Sequence, residues 1–262
     1  MTLTELFDDF CQCLYDNTSI MTEDNVRYYF FACMLKQDPQ LRHYILELPY
    51  SSIKKGFNGL ILNDGLRTES KGRLVNLELD MYYSSLFEKI CAEFKFHRNS
   101  GESKSEYPHT LSAGEIFNDI RRLQLISFGD NESALLRRLL IYVTDDEMHN
   151  YFFNPENNES KRLFRQNLKN FYTGADNYIP FTGRKDTAEG NKKSKENLTT
   201  FMSGAFASFE IPNGGTEYSF EVNTKLIYSK DFICASPSLK KVAYGPNCHV
   251  RIFEVYSGSE KK

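Results

Sequence analysis

Residues 74–98 read LVNLELDMYYSSLFEKICAEFKFHR. Two apolar runs flank a short polar break, which is the pattern of a β-hairpin. Alternate side chains of a strand share a face, so Leu77 and Leu79 point one way and Glu78 and Asp80 the other. On the second run Cys91, Glu93, Lys95 and His97 share a face, opposed by Ala92, Phe94 and Phe96. A turn near Leu86 and Phe87 sets Asp80 roughly opposite Glu93, with Lys95 on the same side. Two carboxylates and an ammonium then converge on one surface of a sheet. Both acids sit within strongly apolar strands, where an unpaired charge is expensive. Hard cations such as Mg²⁺ take oxygen ligands, commonly one or two carboxylates completed by water and phosphate. A metal so held can activate water and stabilise charge on a phosphoryl group, and a nearby lysine can orient that water or stabilise the developing charge. An ordinary cross-strand ion pair is the plain alternative.

Asp80, twelve intervening residues and then Glu93-Phe94-Lys95 resembles the signature of the PD-(D/E)XK nuclease superfamily, with Leu79 standing where that signature has proline. The resemblance covers roughly residues 20–150. It implies an α/β fold with a restriction-endonuclease-like αβββαβ core, a mixed central sheet flanked by helices. It also implies that Asp80, Glu93 and the main-chain carbonyl of Phe94 bind the metal, and that Lys95 works with the attacking water. A helix before the sheet supplies a further acid in many members, and Glu23 is the candidate. The implied cofactor is Mg²⁺, with Mn²⁺ as a substitute, and the implied partner is DNA. The expected activity is that of a DNA endonuclease or exonuclease hydrolysing phosphodiester bonds with metal-activated water. A homodimer would suit cleavage of both strands of a duplex, although no residue requires one. The alternative keeps the fold without the chemistry, as a catalytically silent DNA-binding or protein-interaction module. The intact Asp80, Glu93 and Lys95 set argues against it.

Composition bounds these readings. The chain has 262 residues, 40% hydrophobic and 26% charged, enough for one large domain or two smaller ones. A net charge of −3 supplies no global attraction for nucleic acid, so DNA contacts must come from local basic patches. Cys11, Cys13, Cys33, Cys91, Cys234 and Cys248 show no CxxC spacing, which disfavours zinc ribbons and disulfide scaffolds and makes a reducing cytoplasm the expected location. The N-terminus is acidic (Glu5, Asp8, Asp9) rather than signal-like, and no apolar run approaches the roughly 18–20 residues of a membrane span. Walker-type, H-E-x-x-H and G-x-S-x-G motifs are absent from the sequence.

Along the chain, Phe7, Phe10, Cys11 and Leu14 mark a first amphipathic helix over 4–15. Thr22 caps a second, whose stripe is Val26, Tyr29, Phe30 and Cys33 and whose Glu23 and Arg27 lie four apart. Asp38-Pro39 signals a third helix, with Leu41, Tyr44 and Ile45 buried before Pro49. Phe57 to Leu62 suits a strand and Asn63-Asp64-Gly65 a turn. After a polar loop over 99–110, Ser112 and Glu115 form a capping box, with Ile116, Phe117, Ile120 and Leu123 as the buried face and Arg121 and Arg122 on the other side. Leu135 to Val143 reads as a buried strand, and Thr144 with Glu147 as another cap. A helix over 158–172 ends before Gly174 and carries a basic flank of Lys161, Arg162, Arg165 and Lys169. Residues 1–175 form the nuclease-like unit, and the charged stretch 183–197, with Lys192, Lys193 and Lys195, reads as a mobile loop or linker. Residues 198–262 look mostly β, either a small second domain or extra strands on the first. Cys248 and His249 are too isolated in the sequence to argue for zinc.

Overall fold

The computed structural model describes residues 2–16, 22–49, 78–97, 109–126, 135–153, 162–183, 196–210, 218–233 and 247–257, together with the short pairs 61–62, 67–68 and 74–75. Helix α1 (Leu3–Asp16) buries Leu6, Phe7, Phe10, Cys11 and Leu14. Helix α2 (Glu23–Gln37) opens on Thr22, whose hydroxyl accepts the Asn25 amide while the Asn25 side chain accepts that of Thr22. Strand β1 (Tyr44–Pro49) follows a single 3₁₀ turn. The two-residue strands β2 (Ile61–Leu62), β3 (Arg67–Thr68) and β4 (Leu74–Val75) precede the hairpin of β5 (Glu78–Ser84) and β6 (Glu88–His97). Then come α3 (His109–Gln124), β7 (Leu135–Thr144), α4 (Asp146–Phe153), α5 (Arg162–Thr173), β8 (Tyr178–Gly183), α6 (Glu196–Ala205), β9 (Phe209–Glu210), β10 (Tyr218–Ile233) and β11 (Asn247–Val255).

Seven strands form one mixed sheet in the order β1-β5-β6-β7-β11-β10-β8. Only β6 and β7 of these neighbours run parallel, and α3 lies in the long crossover that a parallel pair requires. Of the two arrangements open to the C-terminal residues, the strands β10 and β11 extend this sheet. Both faces of the sheet are covered. Residues of α1 and α2 pack with Met81, Ile90, Ala92, Phe94 and Ile141 on one side. Residues of α3 to α6 pack with Cys91, Leu140, Tyr142 and Phe253 on the other. This is the division between Cys91 and Ala92/Phe94 that the alternation of β6 predicts. Among the described residues no helix is long and apolar enough to cross a membrane.

Several elements differ from the sequence reading. Asp38-Pro39 does not open a helix: Asp38 closes α2, its amide on the Met34 carbonyl at 3.0 Å, and its carboxylate holds His43 at 2.6 Å. Tyr44 and Leu46 instead pair with Tyr83 and Met81 of β5, so strand pairing overrides a stripe that also fits a helix. Helix α3 starts at His109, which puts Ser112 inside it and buried. The side chain of Asp145, not Thr144, accepts the amides of Glu147 and Met148 at the start of α4, because Thr144 is still in β7, paired with His97. Strand β8 and helix α6 have no counterpart in the reading of the sequence. The Asn63-Asp64-Gly65 turn and Lys161, Lys192, Lys193 and Lys195 lie outside the described residues.

Helix α3 is pressed onto α6 through glycine on both sides. A Cβ on Gly114 would meet the Phe201 carbonyl oxygen, and one on Gly204 the Leu111 carbonyl oxygen. Gly114→Ala is therefore expected to cost about 1–3 kcal/mol of stability in urea unfolding, as overpacking of a close contact does. A cost under about 0.5 kcal/mol, the size of an ordinary surface change, would show that the two helices can part freely.

Candidate active site

Strand β6 outruns its partner. Its pairing with β5 runs from Lys89↔Ser84 to Ala92↔Met81, whereas its pairing with β7 continues to His97↔Thr144. On the side that β5 leaves, the Phe94 amide donates to Asp80 Oδ2 at 2.7 Å and the Phe96 amide to Glu23 Oε2 at 3.1 Å. Side-chain carboxylates thus answer the backbone where a strand would have done so. The N–H and C=O of one strand residue point to the same neighbour, so the Phe94 carbonyl faces this opening too. The departure of β5 is visible in its own residues. Leu79 belongs to the core under α3, while Met81 and Tyr83 belong to the core under α1 and α2. On β1, Glu47 lies between the pairs Leu46↔Met81 and Leu48↔Leu79 with a φ of 56°. That left-handed conformation costs a residue with a Cβ on the order of 1–2 kcal/mol, and such strain tends to gather at functional sites.

Four carboxylates from four elements meet here. Glu93 is 1% exposed, lies beside Asp80 at the end of the β5–β6 pairing and is 2.9 Å from an Arg122 guanidinium nitrogen. The same nitrogen lies 2.8 Å from Asp119 Oδ1. Lys95 Nζ stands between Asp119 Oδ2 at 3.4 Å and Glu23 Oε2 at 3.8 Å. Arg27 faces Asp80 at 3.6 Å but is shared with Asp24 at 2.6 Å and Glu47 at 3.1 Å. Burial pushes the Asp80 pKa up, against the pull of the Phe94 amide. Asp119 above all, helped by Glu23, raises that of Lys95, so the ammonium stays charged. Adjacent carboxyls stay ionised together only where positive charge or a proton answers them, and here Arg122 faces Glu93 and Arg27 faces Asp80. Asp119 Oδ2 is buried and faces the Lys95 ammonium. The carboxyls of Asp80 and Glu93 and the Phe94 carbonyl make an all-oxygen set of the kind that an oxygen-seeking dication takes.

Of the residues expected from the sequence, Asp80 lies beside Glu93 and Lys95 faces Glu23 at 3.8 Å, and Asp119 with Arg122 links the two pairs. Glu23 reaches β6 rather than pairing with Arg27. Arg121 and Arg122, which the sequence places on the side of α3 away from its apolar stripe, are not turned to solvent. Arg122 lies in the site, and Arg121 is 4% exposed, its guanidinium 3.9 Å above the Phe206 ring and bonded to the Ala205 carbonyl. The basic flank of α5 is also packed away in part, with the Arg165 guanidinium over Tyr151 and the Lys169 ammonium over Phe153. Sequence reasoning missed Asp119, Arg122 and Arg27. The available signal was the spacing of Asp119 and Arg122, three apart on a helix and therefore on one side of it.

A second cluster lies where β10 ends and β11 begins. His149, Asp231 and His249 each bring a potential ligand atom within 4.8 Å of the others. Its geometry suits a proton better than a metal. The two imidazoles stack with centroids 3.8 Å apart and planes 13° from parallel, so their in-plane lone pairs do not converge on one point. His249 sits between Asp231 and Asp146, each 3.0 Å from a ring nitrogen, and Arg251 already neutralises Asp231 at 2.6 Å. Burial lowers the His249 pKa, but the two carboxylates outweigh it and the net shift is upward. Burial, with His249 nearby, pushes His149 down to about 4. Of the two stacked rings, His249 is the one whose surroundings favour the proton and His149 the one whose surroundings favour the neutral form.

Two outcomes follow from these shifts. Asp80 has a folded pKa above its unfolded value, so its contribution to stability is present at low pH and lost as pH rises through the folded value. In metal-free buffer at pH 7.5, Asp80→Asn is expected to raise Tm, since it removes a carboxylate that burial disfavours. An unchanged or lower Tm would deny the carboxylate strain. His249, also raised, contributes fully below its unfolded pKa and progressively less as pH rises through the folded one. The stability lost in His249→Gln should therefore be larger at pH 5.5 than at pH 9, measured by denaturant titration at both.

The chain matches no protein-family model, no curated protein and no solved structure.

Proposed function

We propose that this chain is a divalent-cation-dependent phosphodiesterase acting on DNA, with Asp80 and Glu93 as its cation-binding acids and Lys95 as the charge beside them. The observation that carries the reading is the placing of Asp80, bonded to the Phe94 amide, beside a fully buried Glu93 where β5 leaves β6, with an ammonium on the same strand that Asp119 holds in place. The order helix, three strands, helix, strand in α2, β1, β5, β6, α3 and β7 supports it, as the order that the PD-(D/E)XK resemblance implies. DNA is the substrate that the same resemblance implies. Mg²⁺ fits the all-oxygen donor set, and Mn²⁺ would substitute.

When bound, such a cation supplies a Lewis acid for a phosphoryl oxygen and makes water more acidic. The chain's own residues do the rest. Asp80 is oriented by the Phe94 amide and Glu23 by the Phe96 amide, so both carboxylates are fixed to the backbone of β6. Lys95, braced by Asp119 and Glu23, presents a positive charge where negative charge grows on phosphorus, and is aligned before the reaction begins. A catalytically silent module is the second reading, favoured by one contact: Arg122 already neutralises Glu93 without a cation.

Incubation of supercoiled and linear duplex with Mg²⁺ or Mn²⁺ tests the proposal. Glu93→Gln and Lys95→Ala should each lower cleavage at least ~10²-fold, as loss of a positioned charge at a reacting centre does, with folding intact by circular dichroism. Glu23→Gln, with 45% of its side chain exposed, should cost less, about 10-fold. DNA binding with no cleavage in any of these conditions would favour the silent module.

A further inference from the structure

Arg122 is unlike the other basic residues of the site. Lys95 is braced between Asp119 and Glu23, and Arg27 is shared among Asp24, Glu47 and Asp80 on the side of α2 and β1. Arg122 instead lays one guanidinium nitrogen across Glu93 and Asp119, so it sits on a carboxylate that the proposed cation would claim. A guanidinium and a dication on one buried carboxylate repel each other strongly in a poorly screened setting. Cation binding would therefore loosen the Arg122–Glu93 contact. The contact to Asp119 would survive, because the two residues lie one helical turn apart. Helix α3 itself would not follow, since Asn118 and Ser208 exchange two hydrogen bonds at 2.9 and 2.8 Å and Arg121 holds the Ala205 carbonyl.

We propose that Arg122 is the substrate-gripping cation of the site: displaced from Glu93 by the metal yet tethered by Asp119, it turns its planar fork to the non-bridging oxygens of the phosphodiester. This rests on the function proposed above. The guanidinium is suited to the task because its paired N–H groups match two phosphate oxygens at once, which the compact Lys95 ammonium cannot do. One residue then serves two states. It neutralises Glu93 before the cation arrives and binds phosphate afterwards.

The role predicts opposite effects on two ligands, which a purely structural residue would not give. Mn²⁺ binding is measured by calorimetry, and binding of a fluorescein-labelled duplex by anisotropy in Ca²⁺ over a range of salt. Arg122→Gln should bind Mn²⁺ about 3–10-fold more tightly, having lost a competitor, and DNA about 10-fold more weakly, with the salt slope reduced by roughly one phosphate contact. Arg122→Lys should keep the salt slope but recover only part of the DNA affinity, and it carries the test if Arg122→Gln fails to fold. Mn²⁺ binding that weakens or stays unchanged, or a DNA salt slope that does not move, overturns the role of Arg122 while leaving the cation site standing. A wild-type protein that binds no Mn²⁺ overturns both.

Discussion

Past Ala92, strand β6 keeps β7 on one side and loses β5 on the other, and the amides of Phe94 and Phe96 are answered by Asp80 and Glu23. An unanswered buried amide costs about as much as a lost hydrogen bond, so an opening in a sheet must be filled. Filling it with carboxylates rather than with another strand has a consequence. It draws negative charge into the edge of the core, against the backbone and beside Glu93. The rest of the site follows from that concentration of charge. Lys95, Arg122 and Arg27 are buried or half-buried around it because each has acids to face, and Asp119 is the residue on which Lys95 and Arg122 both rest.

The arrangement is costly and stays in place because its surroundings leave little room to relax. Burial lifts the pKa of Asp80, and Glu47 holds a left-handed backbone at the same level of the neighbouring strand. Both departures occur where β5 turns away from β6. The second cluster, around His249, shows another solution to similar chemistry. There the carboxylates of Asp231 and Asp146 are met by the His249 ring and by Arg251, and among the described residues no lysine takes part, whereas the first site sets Lys95, Arg122 and Arg27 among its acids.

Much of this was legible because it rests on short-range pattern. The alternation of 74–98 carried the hairpin, its turn at Leu86 and Phe87, and the placing of Asp80 beside Glu93, because strand periodicity fixes which side chains share a face. The stripes of α1 and α2 were equally plain. What escaped reading depends on contacts distant in sequence. Tyr44 and Ile45 fit a helical stripe until β5 offers Tyr44 and Leu46 partners. Ser112 is as good a cap as any serine until His109 and Thr110 find Glu147 and Tyr151 across the fold. The surroundings of Arg121 and Arg122 escape reading because nothing local reveals aromatic rings at 206 and 220 or a carboxylate on β6. The particular family core that the motif implies remains a proposal, while the mixed seven-stranded sheet with helices on both faces is observed.

The C-terminal residues, silent about function in the sequence, acquire a role once α3 is seen as a two-sided part. Asp119 and Arg122 lie on the side of α3 that faces β6, and Asn118 and Arg121, each one residue earlier, face α6 and the residues after it. The glycine contact between α3 and α6 sets the depth of that seating. Phe206 and Phe220 then cover the Arg121 guanidinium at 3.9 and 4.8 Å, so β10 is part of the same clamp. A site whose charges must be aligned to within a fraction of an ångström needs such backing. The strands and helix beyond residue 196 provide it by fixing the helix that brings Asp119 to Lys95.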